Sequence, residues 1–297
     1  MSNEKKVIDV YSIIKPEIEK LIQSGSNTAI LDSRILLAHS LCLSRPIYTH
    51  ENINISKNQL RNFQELIAER QNGKPVSRII KKKNFWNKEF QINKETLDPR
   101  PDSEVIIEYF LKYNEDKFKE LKVLDLGSGS GCLGLSLLEE YENSKVSFLD
   151  VSKISLNAVK LNSLKFNTYK RTQLINLDWR LPNWDLKLLD IEKNVKFDAI
   201  VTNPPYIPSN EINFLQNEVK YFDPLIALDG GKEGLDAYEL IFAKLSKLLK
   251  LNGKIFVEIG QNQKEAVCKI ALDNTLFPVD FGQDLSGITR VIVFTIK

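Results

Sequence analysis

The chain is poor in the residues on which several kinds of chemistry depend. Its 297 residues include two histidines and three cysteines. Both histidines, His39 and His50, lie near the N-terminus, where we expect surface or packing residues rather than a catalytic base. The cysteines are far apart and lack CxxC spacing, which favours free thiols in a reducing cytoplasm and predicts no metal site.

Long apolar segments are also missing. No segment approaches the ~20 apolar residues that span a bilayer. The opening residues, MSNEKKVIDVYSIIKPEIEK, mix charged with apolar side chains and do not predict a signal peptide. With 42% hydrophobic and 27% charged residues, and no internal repeat, the sequence predicts a soluble, cytoplasmic, globular protein.

An excess of charge of one sign is absent as well. The net charge is +2, which argues against a dedicated nucleic-acid-binding protein. Positive charge is concentrated in residues 1–94, with roughly 16 Lys and Arg against roughly 9 Asp and Glu. Its sharpest cluster is KKKN, residues 81–84, which is typical of a solvated turn; the alternative is a contact surface for an acidic partner.

Hydrophobic periodicity divides the chain into three parts. Residues 1–73 show helical spacing without strand-like alternation and predict a small helical domain. Residues 74–98 predict a β-hairpin linker with KKKN at its polar centre. In residues 99–297, short apolar strands alternate with amphipathic helices, as in a doubly wound, mostly parallel α/β sheet.

Helix starts can be predicted at three places. Asp32 or Ser33 is expected to cap a helix whose apolar face includes Leu31. Ser56 is expected to cap the next helix, which Gly73 would end. The Pro-rich loop TLDPRPDSE, residues 96–104, precedes a third helix, with Asp102 or Ser103 as its cap.

A glycine loop follows the first strand of the C-terminal part. In VLDLGSGSGCLGLSLL, residues 123–138, glycines let the backbone turn sharply beside the free N–H groups of a helix start. The dinucleotide fingerprint G-x-G-x-x-G would need glycine where Cys132 stands, and no Lys-Ser or Lys-Thr follows as in a phosphate-binding loop. The spacing D-x-G-x-G-x-G resembles that of class I S-adenosylmethionine (SAM)-dependent methyltransferases, which favours SAM over NAD. The predicted cofactor residues here are Asp125, Gly127, Ser128, Gly129, Ser130 and Gly131.

The next two strands end in further candidate cofactor residues. Asp150 ends the second strand, where a carboxylate can accept both hydroxyls of a ribose. After the third strand, Asp178 could accept from the adenine amine and Trp179 could stack on the ring. The alternative for Trp179 is a core aromatic.

The fourth strand leaves the core through a rigid turn, in FDAIVTNPPYIPSN, residues 197–210. Its prolines remove N–H donors, and Asn203 adds a side-chain carbonyl, so two acceptors can converge on one NH₂ group. Such acceptors orient a weak nitrogen nucleophile and stabilise the charge that builds on it. We therefore predict Asn203, Pro204 and Tyr206 as catalytic, the same residues with Pro205 as substrate-binding, and Asn203 also as a cofactor contact. The alternative is a rigid loop without chemistry.

The combination of DLGSGSG with NPPY resembles amino methyltransferases, which act on adenine or on glutamine amides. The ordered series DSRILLAH, GKPVSRI, NFW, TLDPRPDSE, FDPLIALDGG and VEIGQNQ, from about Asp32 to Val293, resembles the HemK/PrmC family of N5-glutamine methyltransferases. The resemblance implies a Rossmann-like class I fold with a mostly parallel seven-stranded sheet and a small N-terminal helical domain. It also implies SAM as methyl donor and the glutamine of the Gly-Gly-Gln motif of class 1 peptide chain release factors as acceptor.

The same resemblance implies a release factor as partner and a substrate-recognition role for the helical domain of residues 1–73. We further expect a monomer, no membrane association and no direct nucleic-acid substrate. Arg100, Pro101 and Glu218 match family loops near the active site. KKKN departs from the family, whose linker commonly carries a Gly-Glu pair there, so partner preference is affected. Two alternatives stay open: an adenine-N6 methyltransferase acting on DNA or RNA, and a SAM-binding module for a translation factor.

Overall fold

The computed structural model describes residues 6–45 and 47–297. These residues form two compact units. The first comprises the described residues up to Lys81 together with Asn217–Phe222. The second comprises Lys82–Gln216 and Asp223–Lys297.

The first unit is mainly helical. Its helices are α1 (Val10–Gln23), α2 (Ala29–Ser40), α3 (Lys57–Gln71), α4 (Val76–Ile80) and α9 (Asn217–Phe222). Two strands, β1 (Lys6–Asp9) and β2 (Asn52–Ile55), pair antiparallel, so the prediction of a region without strands is wrong. Each strand has only four residues, too few for alternation to stand out from the surrounding helical pattern.

Helix α3 begins as predicted and α2 does not. Ser56 caps α3 in a reciprocal capping box with Gln59. Helix α2 follows Thr28, so Asp32 lies in its first turn and is not its cap. Leu31 is exposed, and the buried face carries Leu36 instead.

The position of Asp32 has a physical reason within the same unit. Its Oδ2 atom accepts from Nε of Arg70 at 2.7 Å, and both side chains are more than nine-tenths buried. The other side of the Arg70 guanidinium binds Oε1 of Glu218 at 2.6 Å. A buried carboxylate requires such a partner, so α2 is rotated to point Asp32 inward.

The second unit begins with a hairpin, whose turn lies elsewhere than predicted. Strands β3 (Lys82–Phe85) and β4 (Lys88–Gln91) pair antiparallel, and the turn between them is Trp86–Asn87, both with positive φ. KKKN therefore follows helix α4 and enters β3, so its interpretation as a solvated turn at the hairpin centre is wrong. Buried Phe85 and Phe90 set this register, because they hold both strands against the core.

A seven-stranded sheet forms the centre of the second unit. Its strands are β5 (Lys122–Leu126), β6 (Lys145–Asp150), β7 (Thr172–Asn176), β8 (Phe197–Thr202), β9 (Leu249–Glu258), β10 (Phe277–Gln283) and β11 (Thr289–Thr295). The order across the sheet is β10-β11-β9-β8-β5-β6-β7. Only β11 runs antiparallel to its neighbours, which confirms the predicted mostly parallel sheet.

Helices cover both faces of this sheet. They are α5 (Glu104–Tyr113), α6 (Cys132–Glu140), α7 (Lys153–Lys165), α8 (Trp184–Ile191), α10 (Asp236–Leu248) and α11 (Lys264–Asp273). One hydrophobic cluster surrounds Phe148 and the other surrounds Phe242. Among the described residues, no helix combines the length and the apolar character needed to cross a membrane.

The strand order creates a switch point at the middle of the sheet. The chain runs outward from β5 to β7 and then returns to place β8 on the other side of β5. Thr202, at the end of β8, lies opposite Leu126 and donates its hydroxyl to the Leu126 carbonyl at 2.7 Å. The loops after β5 and β8 therefore start side by side, where α/β sheets bind their ligands.

Candidate active site

A cavity of about 660 Å³ lies at the carboxyl edge of the sheet in the second unit. This volume is typical of small-molecule sites. The predicted site residues that line it are Gly127, Ser128, Gly129, Ser130, Asp150, Asp178, Trp179, Asn203 and Pro205. The predicted residues Asp125, Gly131, Pro204 and Tyr206 lie outside this lining.

The glycine loop curves along the cavity wall. Gly127, Gly129 and Gly131 all have positive φ, between 52° and 78°. A Cβ atom on Gly127 would come within 2.8 Å of the Trp179 ring. Glycine at 127 is therefore required twice, by the backbone conformation and by the close approach of the indole.

Asp125 lies beneath this loop. Its buried carboxylate accepts from the Gly134 N–H at 2.9 Å, which fixes the start of α6. Burial raises its pKa to about 7. The geometry gives Asp125 a role in holding the loop, and its contact with a cofactor stays a prediction.

Asp150 and Ser128 present polar atoms to the cavity. The two carboxylate oxygens of Asp150 accept from Gly129 N–H and Ser152 N–H, each at 2.8 Å, which fixes their orientation. Burial raises the Asp150 pKa. Ser128 Oγ is buried and has no hydrogen-bond partner among the described residues. An unpaired buried hydroxyl is costly, so the wall fits a polar ligand such as the ribose and amino-acid parts of SAM.

Trp179 and Asp178 form the wall after β7. The indole of Trp179 is half-buried, packs over Gly127 and also contacts the second hydrophobic cluster. The Asp178 carboxylate binds the Arg180 guanidinium, with Nη2 to Oδ2 at 2.7 Å, which holds its pKa below the usual value. Asp178 therefore shares its oxygens with Arg180, and its contact with adenine stays a prediction.

The Asn203 side chain is anchored at one end. Its Nδ2 donates to Ser103 Oγ at 3.0 Å, and Ser103 Oγ donates to Glu258 Oε2 at 2.5 Å. Among the described residues, Oδ1 of Asn203 has no hydrogen-bond partner. Because Asn203 lines the cavity, this oxygen is left to accept from a ligand.

Ser103 is the N-cap of α5 by position, as predicted, but makes no side-chain capping bond. A three-residue 3₁₀ turn, Pro101–Ser103, carries it to Asn203. Arg100, just before this turn, lines the cavity and binds the buried carboxylate of Asp223. The TLDPRPDSE loop thus supplies the Ser103 hydroxyl to the site. Sequence reasoning had assigned this hydroxyl to helix capping.

Glu258 is the residue that sequence reasoning missed. It ends β9, is 1% exposed, and accepts from Ser103 and from the Tyr206 hydroxyl at 3.3 Å. Burial raises its pKa to about 7. The sequence pattern that could have identified Glu258 is a single carboxylate at the end of the apolar strand GKIFVEIG. An isolated charge in a buried strand is a candidate functional residue.

The NPPY turn is held from behind by the LDGG segment, residues 228–231. The Ile207 N–H donates to the Leu228 carbonyl at 3.0 Å, and the Gly230 N–H donates to the Ile207 carbonyl at 2.9 Å. A Cβ atom on Gly230 would lie 2.8 Å from Cα of Tyr206. Two motifs distant in the sequence therefore form one rigid backbone unit.

Comparisons with known proteins match both parts of the chain. The family described as PrmC N-terminal domain matches residues 18–80, and the one described as Methyltransferase small domain matches residues 101–218. The solved catalytic domain of hMettl16, bound to a 3′UTR hairpin, is 16% identical with a TM-score of 0.52, covering 70% of this chain and 75% of that one. That likeness shows the fold of a methyltransferase catalytic domain.

Curated relatives cover nearly all of the chain. The release factor glutamine methyltransferase of Clostridium acetobutylicum is 32% identical over 99% of this chain and 98% of its own length. The bifunctional methyltransferase of Rickettsia conorii is 34% identical over 96% of this chain, but this chain spans only 57% of that protein. The chain has the class I SAM-dependent methyltransferase fold and therefore belongs to the release factor glutamine methyltransferase family.

Proposed function

We propose that this protein transfers a methyl group from SAM to the side-chain amide nitrogen of the glutamine in the Gly-Gly-Gln motif of class 1 peptide chain release factors. The observation that carries the proposal is the anchored amide of Asn203, a cavity-lining residue whose Oδ1 has no hydrogen-bond partner in the described part of the chain. Membership of the family supports the choice of substrate.

The glycine loop, Asp150 and Trp179 would hold the cofactor in this proposal. When bound, SAM supplies an electrophilic methyl group on a sulfonium. The fixed oxygens of Asp150 suit the ribose hydroxyls, and the Trp179 indole offers a flat surface for adenine. Ser128 Oγ gains a partner that the described residues do not provide.

Asn203 and Pro204 would hold the glutamine amide. The lone pair of an amide nitrogen is delocalised, so the nitrogen is a weak nucleophile. Asn203 Oδ1 and the Pro204 carbonyl accept its two N–H groups and aim the nitrogen at the methyl group. These hydrogen bonds strengthen as positive charge builds on the nitrogen, so they stabilise the transition state more than the ground state.

The mechanism needs no histidine base. The nitrogen forms its new bond to carbon while the bond from sulfur to that carbon breaks. The sulfur would leave with the bonding electron pair as a neutral thioether, and one N–H proton would then pass from the nitrogen to solvent water, which restores the neutral amide. Positioning by Asn203 therefore accounts for the main contribution of the protein.

Labelled SAM and a purified release factor test the proposal. We expect label on the wild-type factor and none on a factor whose motif glutamine is replaced by alanine. Absence of label on the wild-type factor, while calorimetry shows SAM binding, would refute release-factor methylation. Label on DNA or RNA instead, falling steeply with salt, would support adenine methylation. A monomeric state and a cytoplasmic location belong to the same proposal, and light scattering tests the first.

A further inference from the structure

We propose that Ser103 and Glu258 are positioning residues that decide which end of the Asn203 side-chain amide faces the substrate. The proposal rests on the function proposed above. It assigns these two residues a role in selecting the orientation of a catalytic group, without contact to the reacting atoms.

The direction of each hydrogen bond carries the inference. Ser103 has one hydroxyl hydrogen, and it is donated to Glu258 Oε2. The Ser103 oxygen can then only accept, so it requires the NH₂ end of Asn203. The carbonyl end of Asn203 is thereby directed to its free position, which is the end that a substrate NH₂ needs.

Without the hydrogen bonds from Asn203 to Ser103 and from Ser103 to Glu258, the side-chain amide of Asn203 would have no fixed orientation. The oxygen and NH₂ ends of an asparagine side chain have nearly the same size and shape. A Ser103 hydroxyl released from Glu258 could donate to Asn203 Oδ1, which would point NH₂ toward the substrate NH₂. Two donors facing each other leave the substrate nitrogen unheld, so methyl transfer would slow.

Both side-chain oxygens of Glu258 are used as acceptors in the structure. Its Oε1 accepts from Tyr206, and Tyr238 donates its hydroxyl to the Glu258 backbone carbonyl at 3.0 Å. Arg290 on the neighbouring strand β11 favours the ionised, accepting form of this carboxyl, and Asp102 on the 3₁₀ turn opposes it. Glu258 and Ser103 are 1% and 3% exposed, so water does not compete for the shared hydroxyl.

Paired variants test the role of each residue. Ser103→Ala should lower kcat roughly tenfold, as expected for one lost hydrogen bond, with little change in SAM affinity. Ser103→Thr keeps the hydroxyl and should retain most activity. Glu258→Gln keeps one acceptor and, like the protonated carboxyl, should retain part of the activity, whereas Glu258→Met has similar size without an acceptor and should lose about as much as Ser103→Ala. Ser136→Ala, a buried serine of α6 away from the cavity lining, is the matched control.

Two further measurements separate positioning from a general structural effect. In the double variant Ser103→Ala/Glu258→Met, the loss should be smaller than the product of the two single losses, because both residues act on Asn203 through the same hydroxyl group. By NMR, the side-chain NH₂ signal of Asn203, identified by its disappearance in Asn203→Ala, should exchange slowly in the wild type. It should exchange faster in Ser103→Ala.

The outcomes distinguish this proposal from the proposed function. If the wild-type enzyme labels the release factor, two results would overturn the positioning role alone. One is an unchanged kcat in Ser103→Ala, and the other is an equal loss of kcat in Glu258→Gln and Glu258→Met. Fast exchange of the Asn203 NH₂ in the wild type would also overturn the positioning role. This measurement does not depend on whether the Ser103 and Glu258 variants fold. A wild-type enzyme that labels no release factor overturns the proposed function instead.

Discussion

Glu258 and Asn203 bind the same hydroxyl group, that of Ser103, and the two residues stand at opposite ends of one hydrogen-bonded chain. Ser103 precedes α5, Asn203 follows β8, and Glu258 ends β9. Three segments distant in the sequence thus meet at the switch point of the sheet, and the packing of the sheet sets the direction of a single amide.

Replacing Asn203 by alanine should lower the rate of methyl transfer by ~10²–10³, the loss typical of removing one preorganised group that stabilises developing charge. SAM affinity should fall much less, because the loops after β5, β6 and β7 carry the glycine loop, Asp150 and Trp179, which are predicted to hold the cofactor. Single-turnover kinetics and calorimetry measure the two effects. Asn210→Ala, on the exposed end of the same loop, is the control and should keep its rate. Lost SAM binding in Asn203→Ala would instead mean that Asn203 is structural.

Methyl transfer should weaken as the pH falls through about 7. The Glu258 pKa is raised to about 7 by burial, and protonation turns one of its oxygens from acceptor into donor. One of the hydroxyls of Ser103 and Tyr206 must then turn away, which disturbs the anchor of Asn203. The pH dependence of kcat checks this. The fall of kcat on the acid side of the profile should flatten in Glu258→Gln. If the fall is unchanged in this variant, it belongs to another group, such as Asp125, whose pKa is also about 7.

Glu258 should also make stability depend on pH. Its folded-state pKa, about 7, lies above the ordinary value of 4.5, so its contribution is fully present below about pH 4.5 and is lost as the pH rises through 7. Glu258→Gln has no such dependence. The Tm of this variant relative to wild type should therefore rise between about pH 5 and pH 8. A constant difference in Tm over this range would contradict the raised pKa.

Gly127→Ala and Gly129→Ala should differ sharply. Both positions have positive φ, which costs an alanine roughly 1–2 kcal/mol of stability. Only at Gly127 does the added Cβ meet the Trp179 ring, at 2.8 Å; at Gly129 it meets nothing within 4 Å. We expect Gly127→Ala to displace the indole and weaken SAM binding beyond Gly129→Ala, as measured by calorimetry. Equal affinities would show that the Trp179 position does not matter for the cofactor.

Arg70→Ala should destabilise the first unit by about 3–5 kcal/mol, because it leaves the buried Asp32 carboxylate unpaired. Thermal unfolding measures the loss. Arg61→Ala is the matched control on the same helix, since Arg61 is 80% exposed and its ion pair with Glu65 contributes little. A second control, Arg70→Ala/Asp32→Asn, removes the stranded charge and should recover part of the lost stability. No recovery would show that the packing of Arg70 matters more than its charge.

Local patterns predicted much of this structure. Apolar strands alternating with helices gave the sheet, and the glycine and NPPY motifs placed most predicted residues around one cavity, because parallel strands end at the same edge. Other features depend on contacts between distant segments. Helix α2 is rotated by the Asp32–Arg70 pair, and Ser103 serves Asn203 instead of its own helix. Strand β10 and helix α8 escaped prediction; FPVDFGQ in β10 carries a proline and an aspartate that mask its pattern.

Helix α9 has a consequence for how the protein can be divided. Its residues, Asn217–Phe222, belong to the first unit although the chain on both sides belongs to the second. A fragment ending at Lys81 would lack Glu218 and leave one side of the Arg70 guanidinium without its carboxylate. A fragment beginning at Lys82 would carry α9 without the residues it packs with. The two units are therefore interleaved in sequence, and a cut at the apparent boundary would yield two incomplete pieces.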